Sequence, residues 1–217
     1  MARHHLSRKG ACAKTDPCAC STPRCPTGAT GATGAEGPTG PAGEATGSGA
    51  IIPFASGLPA ELTHVVGGEA DERALIGFGT HALSSGVGSG EVDLAGGVAT
   101  LLNMAFIAPR PGVLSQLTVY FTTVEPTLDD QDAELTFQLY RSQGPASSLY
   151  DPIPGSQIVL PVPADIAAGT LMSGTVALAE PVVNGDRLLL VASLDSSTPL
   201  DLEASLSGYI SGGLSID

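Results

Sequence analysis

The chain has 217 residues, a net charge of −13, four cysteines, no tryptophan and 4 % aromatic residues. Its acidity disfavours nucleic acid and anionic membrane as partners. The few aromatic rings argue against a sugar-stacking groove or a single-strand nucleic-acid platform, and no apolar run approaches membrane-spanning length.

Residues 1–27 form a basic, cysteine-rich segment. It holds Arg3, Arg8, Lys9, Lys14 and Arg24 against Asp16 alone. It has positive charge but no apolar stretch of the kind that follows in a secretory signal, so export by the standard route is not expected. Cys12, Cys18, Cys20 and Cys25 are spaced C-x5-C-x-C-x4-C. Cys18 and Cys20 stand too close in sequence for an unstrained mutual bridge, which favours bonds to other partners. Cross-linking or anchoring is the expected role. A free, incidental thiol cluster competes, as does metal binding with His4 and His5 as added ligands, though for metal the usual C-x2-C pairs are missing.

Residues 28–49 carry a strict triplet period. Glycine falls at Gly28, Gly31, Gly34, Gly37, Gly40 and Gly43, and then the rhythm breaks, with Gly47 next. A G-X-Y repeat fits three polyproline-II-like chains wound on one axis, where only glycine has room. The tract therefore predicts a collagen-like stalk and a homotrimer, with the flexible linker as the alternative. At about 3 Å per residue the rod would be roughly 50 Å long. Few triplets carry proline, so the ordering entropy demands a clamp elsewhere in the chain. Thr30, Thr33 and Thr39 occupy Y positions, facing solvent, where O-linked sugar is possible.

Residues 50–217 make a block long enough for one domain with a core of its own. It holds Arg73, Arg110, Arg141 and Arg187 as its only cations, against 19 acidic residues. Short apolar or alternating runs follow one another between Gly, Pro and Asn: "IIPFAS", "ALIGFG", "EVDLAG", "VATLLNMAFIA", "GVLSQLTVYFTTV", "AELTFQLYR", "SQIVLPV", "GTVALAEPV", "DRLLLVASL" and "LEASLSGYISGGLSI". These are candidate strands. "PVVNGDRLLL" reads as a type I′ hairpin at Asn184-Gly185. "GVGSGEVDLAGG" reads as a hairpin loop, and "PADIAAGTLMSG" as one short helical turn at most. The expected fold is all-β, a sandwich or jelly roll. A trimeric one would bury apolar faces along its axis and supply the clamp.

Catalytic sets are missing. There is no G-x-S-x-G elbow and no P-loop, and His64 and His81 are the only histidines of the block, so no enzyme activity and no cofactor are expected. "LDDQDAELTF" gathers Asp129, Asp130, Asp132 and Glu134. It lacks the glycine and distal glutamate of a calcium loop, and reads as a solvated acidic loop with no metal.

The triplets followed by "GSGAIIPFASG", "ALIGFG", "LLNMAF", "YFTT", "PIPG", "RLLLVAS" and "GYISGGLSI" resemble the collagen-like exosporium glycoproteins of spore-forming Firmicutes, of the BclB-related type. The resemblance covers about residues 26–217. It implies a trimeric jelly-roll head of the tumour-necrosis-factor/C1q type on a collagen-like stalk, a filament on the spore surface, and no enzyme activity. It also implies assembly from the mother-cell cytoplasm. The stalk is shorter than is typical, and the Cys cluster stands where the family's leader motif is found. Attachment by disulfides to a coat layer, the exosporium or a spore appendage is the resulting expectation. An adhesin head for a host or abiotic ligand and a phage-type fibre tip are the competing readings.

Overall fold

Alternation of apolar and polar residues runs through most of the C-terminal block, and a pleated strand turns that period of two into one buried and one exposed face. The computed structural model describes Gly31 and residues 49–64, 71–86, 90–95, 103–128, 130–143, 147–195 and 204–217. Residues Ala45–Asp217 form one compact unit. The strands are β1 (Ala50–Ala55), β2 (Ala60–His64), β3 (Asp71–Ile76), β4 (His81–Gly86), β5 (Val92–Asp93), β6 (Phe106–Ile107), β7 (Gly112–Thr127), β8 (Ala133–Ser142), β9 (Leu149–Pro152), β10 (Ile158–Val162), β11 (Leu171–Val182), β12 (Arg187–Asp195) and β13 (Ala204–Ile216).

The pairing identifies the fold. The first long strand pairs with the last, β1 with β13. Working inward, β3 pairs with β12, β7 with β11 and β8 with β10, every ladder antiparallel. A hairpin folded on itself in this nested way is a jelly roll. One layer runs β1 and β2, β13, β7, β11; the other runs β4, β3, β12, β8, β10. The layers touch at one edge, where Thr63 of β2 pairs with Glu72 of β3. The chain is therefore an all-β jelly-roll sandwich over its described C-terminal part.

Between the layers lies the main core. Phe54, Leu62, Leu117, Phe121 and Leu214 of the first layer meet Leu135, Phe137, Leu188 and Leu190 of the second, all fully or nearly fully buried. A smaller cluster covers the far side of the second layer. Leu75, Tyr140, Leu189 and Val191 point away from the sandwich and are roofed by Val92, Leu94, Met104 and Tyr150. This is why β12 reads "RLLLVASL" without alternation: both of its faces are covered. Beside this roof the Arg187 guanidinium stacks 5.2 Å from the Tyr150 ring centroid and donates to Ser142 Oγ at 3.1 Å.

Several local expectations change. Asn184-Gly185 does not close a hairpin. Gly185 has φ 93° while Asn184 keeps a negative φ, as in a type II turn. The turn carries the chain from β11 in one layer to β12 in the other, and the two strands flanking it do not pair. Part of "GVGSGEVDLAGG" is strand β5, which pairs with β9. "PADIAAGTLMSG" makes turns over 163–170 and then opens β11. Strands β2, β4 and β9 stand outside the candidate runs. β2, "AELTH", is poor in β-formers and is held because β13 offers it an open ladder.

Candidate assembly face and its carboxylate border

The first layer has an outer face opposite the core, and the strand registers lay it out as a grid. In the row nearest the β2 end, Leu171, Thr122 and Tyr209 stand side by side on β11, β7 and β13. The next row is Ser173, Tyr120, Ser211 and Ala55; after it come Thr175, Thr118, Gly213 and Pro53. The last is Ala177, Gln116, Ser215 and Ile51. No position in these rows is charged, in a block with 19 acidic residues. Most are small or hydroxylated, so the surface is low and flat. Thr118 and Thr175 join their hydroxyls at 3.0 Å across two strands. Four apolar or aromatic side chains stand out from it: Ile51 is 76 % exposed, Leu171 67 %, Tyr120 51 % and Tyr209 48 %.

The face stops at carboxylates. Ser207 of β13 is flanked by Glu61 of β2 on one side and Glu125 of β7 on the other. With Thr127 and Ser205 they line a polar cavity of about 220 Å³. At the opposite end Glu180 of β11, in register with the core-facing Leu114, pairs with Arg141 of β8 at 2.9 Å, and Arg141 also donates to the Pro181 carbonyl at 2.9 Å, which ties the two layers together on the side away from the grid. Charge thus borders the grid at the Glu61–Glu125 end and is kept off it.

Strands β1 and β13, the first and last of the described block, both lie in this layer. Ala50 of β1 pairs with Ile216, and Asp217 exchanges two backbone hydrogen bonds with Val113, each 2.9 Å. The residue that follows the triplet segment is therefore held at one end of the grid by the C-terminal strand.

The residues singled out in the sequence fall mostly outside this description. Cys12, Cys18, Cys20, Cys25, Thr30, Thr33, Thr39 and the glycines Gly28, Gly34, Gly37, Gly40 and Gly43 lie outside the described residues. Gly31 alone is described, and it is exposed. In the acidic loop, Asp132 accepts the Ala164 amide at 2.9 Å and Asp130 takes a left-handed φ of 62°. Among the described residues no group of three or more His, Cys, Asp or Glu side chains is placed to hold a metal. His81 is used structurally, its Nδ1 lying 3.0 Å from the Ser56 carbonyl. Nothing in the sequence singled out the grid. Its signal is the uninterrupted run of uncharged outward positions on four strands far apart in the chain.

No protein-family model matches this chain, and no curated protein matches it. Among solved structures it is similar to the Eiger TNF of S. frugiperda, with 9 % identity, 78 % of this chain and 93 % of that one covered, and a TM-score of 0.38. It is also similar to turnip yellow mosaic virus protein, with 14 % identity, 86 % and 87 % coverage and a TM-score of 0.25. An aminopeptidase from a marine sediment archaeon aligns at 7 % identity and a TM-score of 0.36, over 52 % of this chain and 25 % of that one. The jelly-roll assignment rests on the nested strand pairing.

Proposed function

We propose that the chain is a structural protein of a spore surface, exosporium or appendage: a homotrimeric jelly-roll head on a short collagen-like stalk, anchored through Cys12, Cys18, Cys20 and Cys25. The observation that carries this reading is the charge-free grid on the first layer. A head with 19 carboxylates that keeps charge off one whole face suits that face to desolvation, because an unpaired buried charge is costly. The strict glycine period asks for three chains, and the grid offers a surface on which copies of the head associate. The stalk then works as a spacer. It is too weak to hold three chains by itself, and the head clamps it.

Light scattering on residues 45–217 tests the reading. A trimer is the expected result. A monomer at all concentrations would remove the clamp and leave residues 28–43 as a tether. A second reading, a binding head, is favoured by the polar cavity of Glu61, Glu125, Thr127, Ser205 and Ser207. Adhesion of particles carrying Glu61→Gln and Glu125→Gln would fall under that reading and stay unchanged under the structural one.

A further inference from the structure

Asn followed by Gly is the dipeptide most prone to lose its side-chain amide, because no Cβ shields the following nitrogen. Asn184-Gly185 lies in an exposed turn, with the Asn184 side chain open to water. Its backbone is unusually well tied. The Gly185 amide donates to the Ala108 carbonyl at 2.9 Å, and the Ala108 amide donates to the Asp186 carbonyl at 2.8 Å. The Asp186 amide reaches the Val183 carbonyl at 3.2 Å. The Asp186 carboxylate, on a side chain that is only 3 % exposed, accepts the Val183 amide at 3.0 Å.

We propose that Asn184 is a latent deamidation site, held closed by the hydrogen bond from Gly185 to Ala108. In the reaction the Gly185 nitrogen loses its proton to solvent base and bonds to Asn184 Cγ. The side-chain nitrogen leaves as ammonia and a succinimide ring remains. Water then opens the ring at one carbonyl to give aspartate, or at the other to give isoaspartate, with no oxidant or cofactor involved. The first step needs the Gly185 nitrogen free. While it donates to Ala108 its proton is held and its path to Cγ is fixed by the turn. Reaction waits on local opening of the segment around Phe106–Ala108, whose strand β6 pairs with β12 over only Arg187 and Leu188. Once formed, isoaspartate would lengthen the backbone inside the turn that passes the chain between the two layers. Either product adds a negative charge two residues from Asp186. The inference is independent of the proposed function.

The full chain is incubated at mildly alkaline pH, folded and in urea, and the peptide containing Asn184 is followed by mass spectrometry. Exchange of the Gly185 amide is read in parallel by NMR. The folded chain should deamidate at least about tenfold more slowly than the unfolded one, with Gly185 protected from exchange, because both events need the same opening. Asp186→Ala, which releases the Val183 amide, should speed both rates together. Equal rates in folded and unfolded chains would overturn the proposal. So would a rapidly exchanging Gly185 amide in the folded wild type, an observation that stands even where Asp186→Ala fails to fold.

Discussion

Gly208 of β13 lies directly against the Phe121 ring of β7: a Cβ built on Gly208 would sit 2.2 Å from Phe121 Cζ and 2.5 Å from the Thr122 carbonyl oxygen. Phe121 is fully buried at the centre of the first layer, so neither partner has room to move. Gly208→Ala should destabilise the head by about 1–3 kcal/mol through overpacking. The melting temperature should fall by roughly 2–4 °C per kcal/mol, as for a domain of this size. Pairing it with Phe121→Leu, which removes the ring atoms in the way, should recover part of the loss in a double-mutant cycle. Strict additivity would show that the crowding is relieved elsewhere.

Tyr120 is the central side chain of the charge-free grid, between Ser173 and Ser211. Tyr120→Arg places a cation where association would bury it without a partner, at a cost of several kcal/mol per copy. The expected outcome is monomers in light scattering with an unchanged far-ultraviolet circular dichroism spectrum. Trimers that survive the change would move the interface off this face.

Tyr150 is fully buried, and the Arg187 side chain is the hydrogen-bonding group beside its hydroxyl. Burial pushes its phenol above the ordinary 10.0, partly offset by the nearby Arg187 cation. Tyr140 is raised in the same direction, again chiefly by burial. A group whose folded value lies above its unfolded one gives stability that is complete below the unfolded value. That stability is lost as pH rises through the folded one. The head should therefore hold its stability up to about pH 10 and lose it above, read by denaturant titration across the alkaline range. Tyr150→Phe should flatten that decline. At neutral pH it should cost about 0.5–1.5 kcal/mol, since it removes the hydroxyl beside the Arg187 side chain. Unchanged or raised stability at neutral pH would mean that the Arg187 contact contributes nothing.

Lys9 and Lys14 are the only lysines, and both precede the triplet segment. Of the head's four arginines, Arg73 is 9 % exposed, and Arg141 and Arg187 lie partly covered in strands β8 and β12. Arg110 is exposed but precedes Pro111, a bond that trypsin leaves intact. Proteases cut where backbone is exposed and locally unfolds. Trypsin on the folded protein should stop at Arg24 and leave the rest of the chain whole in a mass spectrum. Prompt cleavage after Arg141 or Arg187 would show that the second layer opens readily.

Much of the class of this protein was legible without a structure. "LTVYF" and "LTFQLY" became part of β7 and β8, because β-branched and aromatic residues suit a pleated, half-buried surface, and the apolar run "RLLLVAS" became β12, buried on both faces. β2 and β4 were not legible, since "AELTH" and "HALSSG" have little strand preference and are held by their neighbours' open ladders. Asn184-Gly185 announced a turn but not its type. A type I′ hairpin needs its two flanking strands to pair, and here they belong to different layers.

The sequence by itself determined the all-β character, the strict glycine period, and the separation of a basic, cysteine-bearing segment from an acidic block. Those are properties of composition and local spacing. Only the tertiary structure decided that β1 closes on β13, and that four distant strands set their uncharged residues side by side with Glu61 and Glu125 at the border. A period of two tells which residues share a face of one strand. It does not say which strand lies beside it, since that choice belongs to burial and backbone pairing over the whole chain.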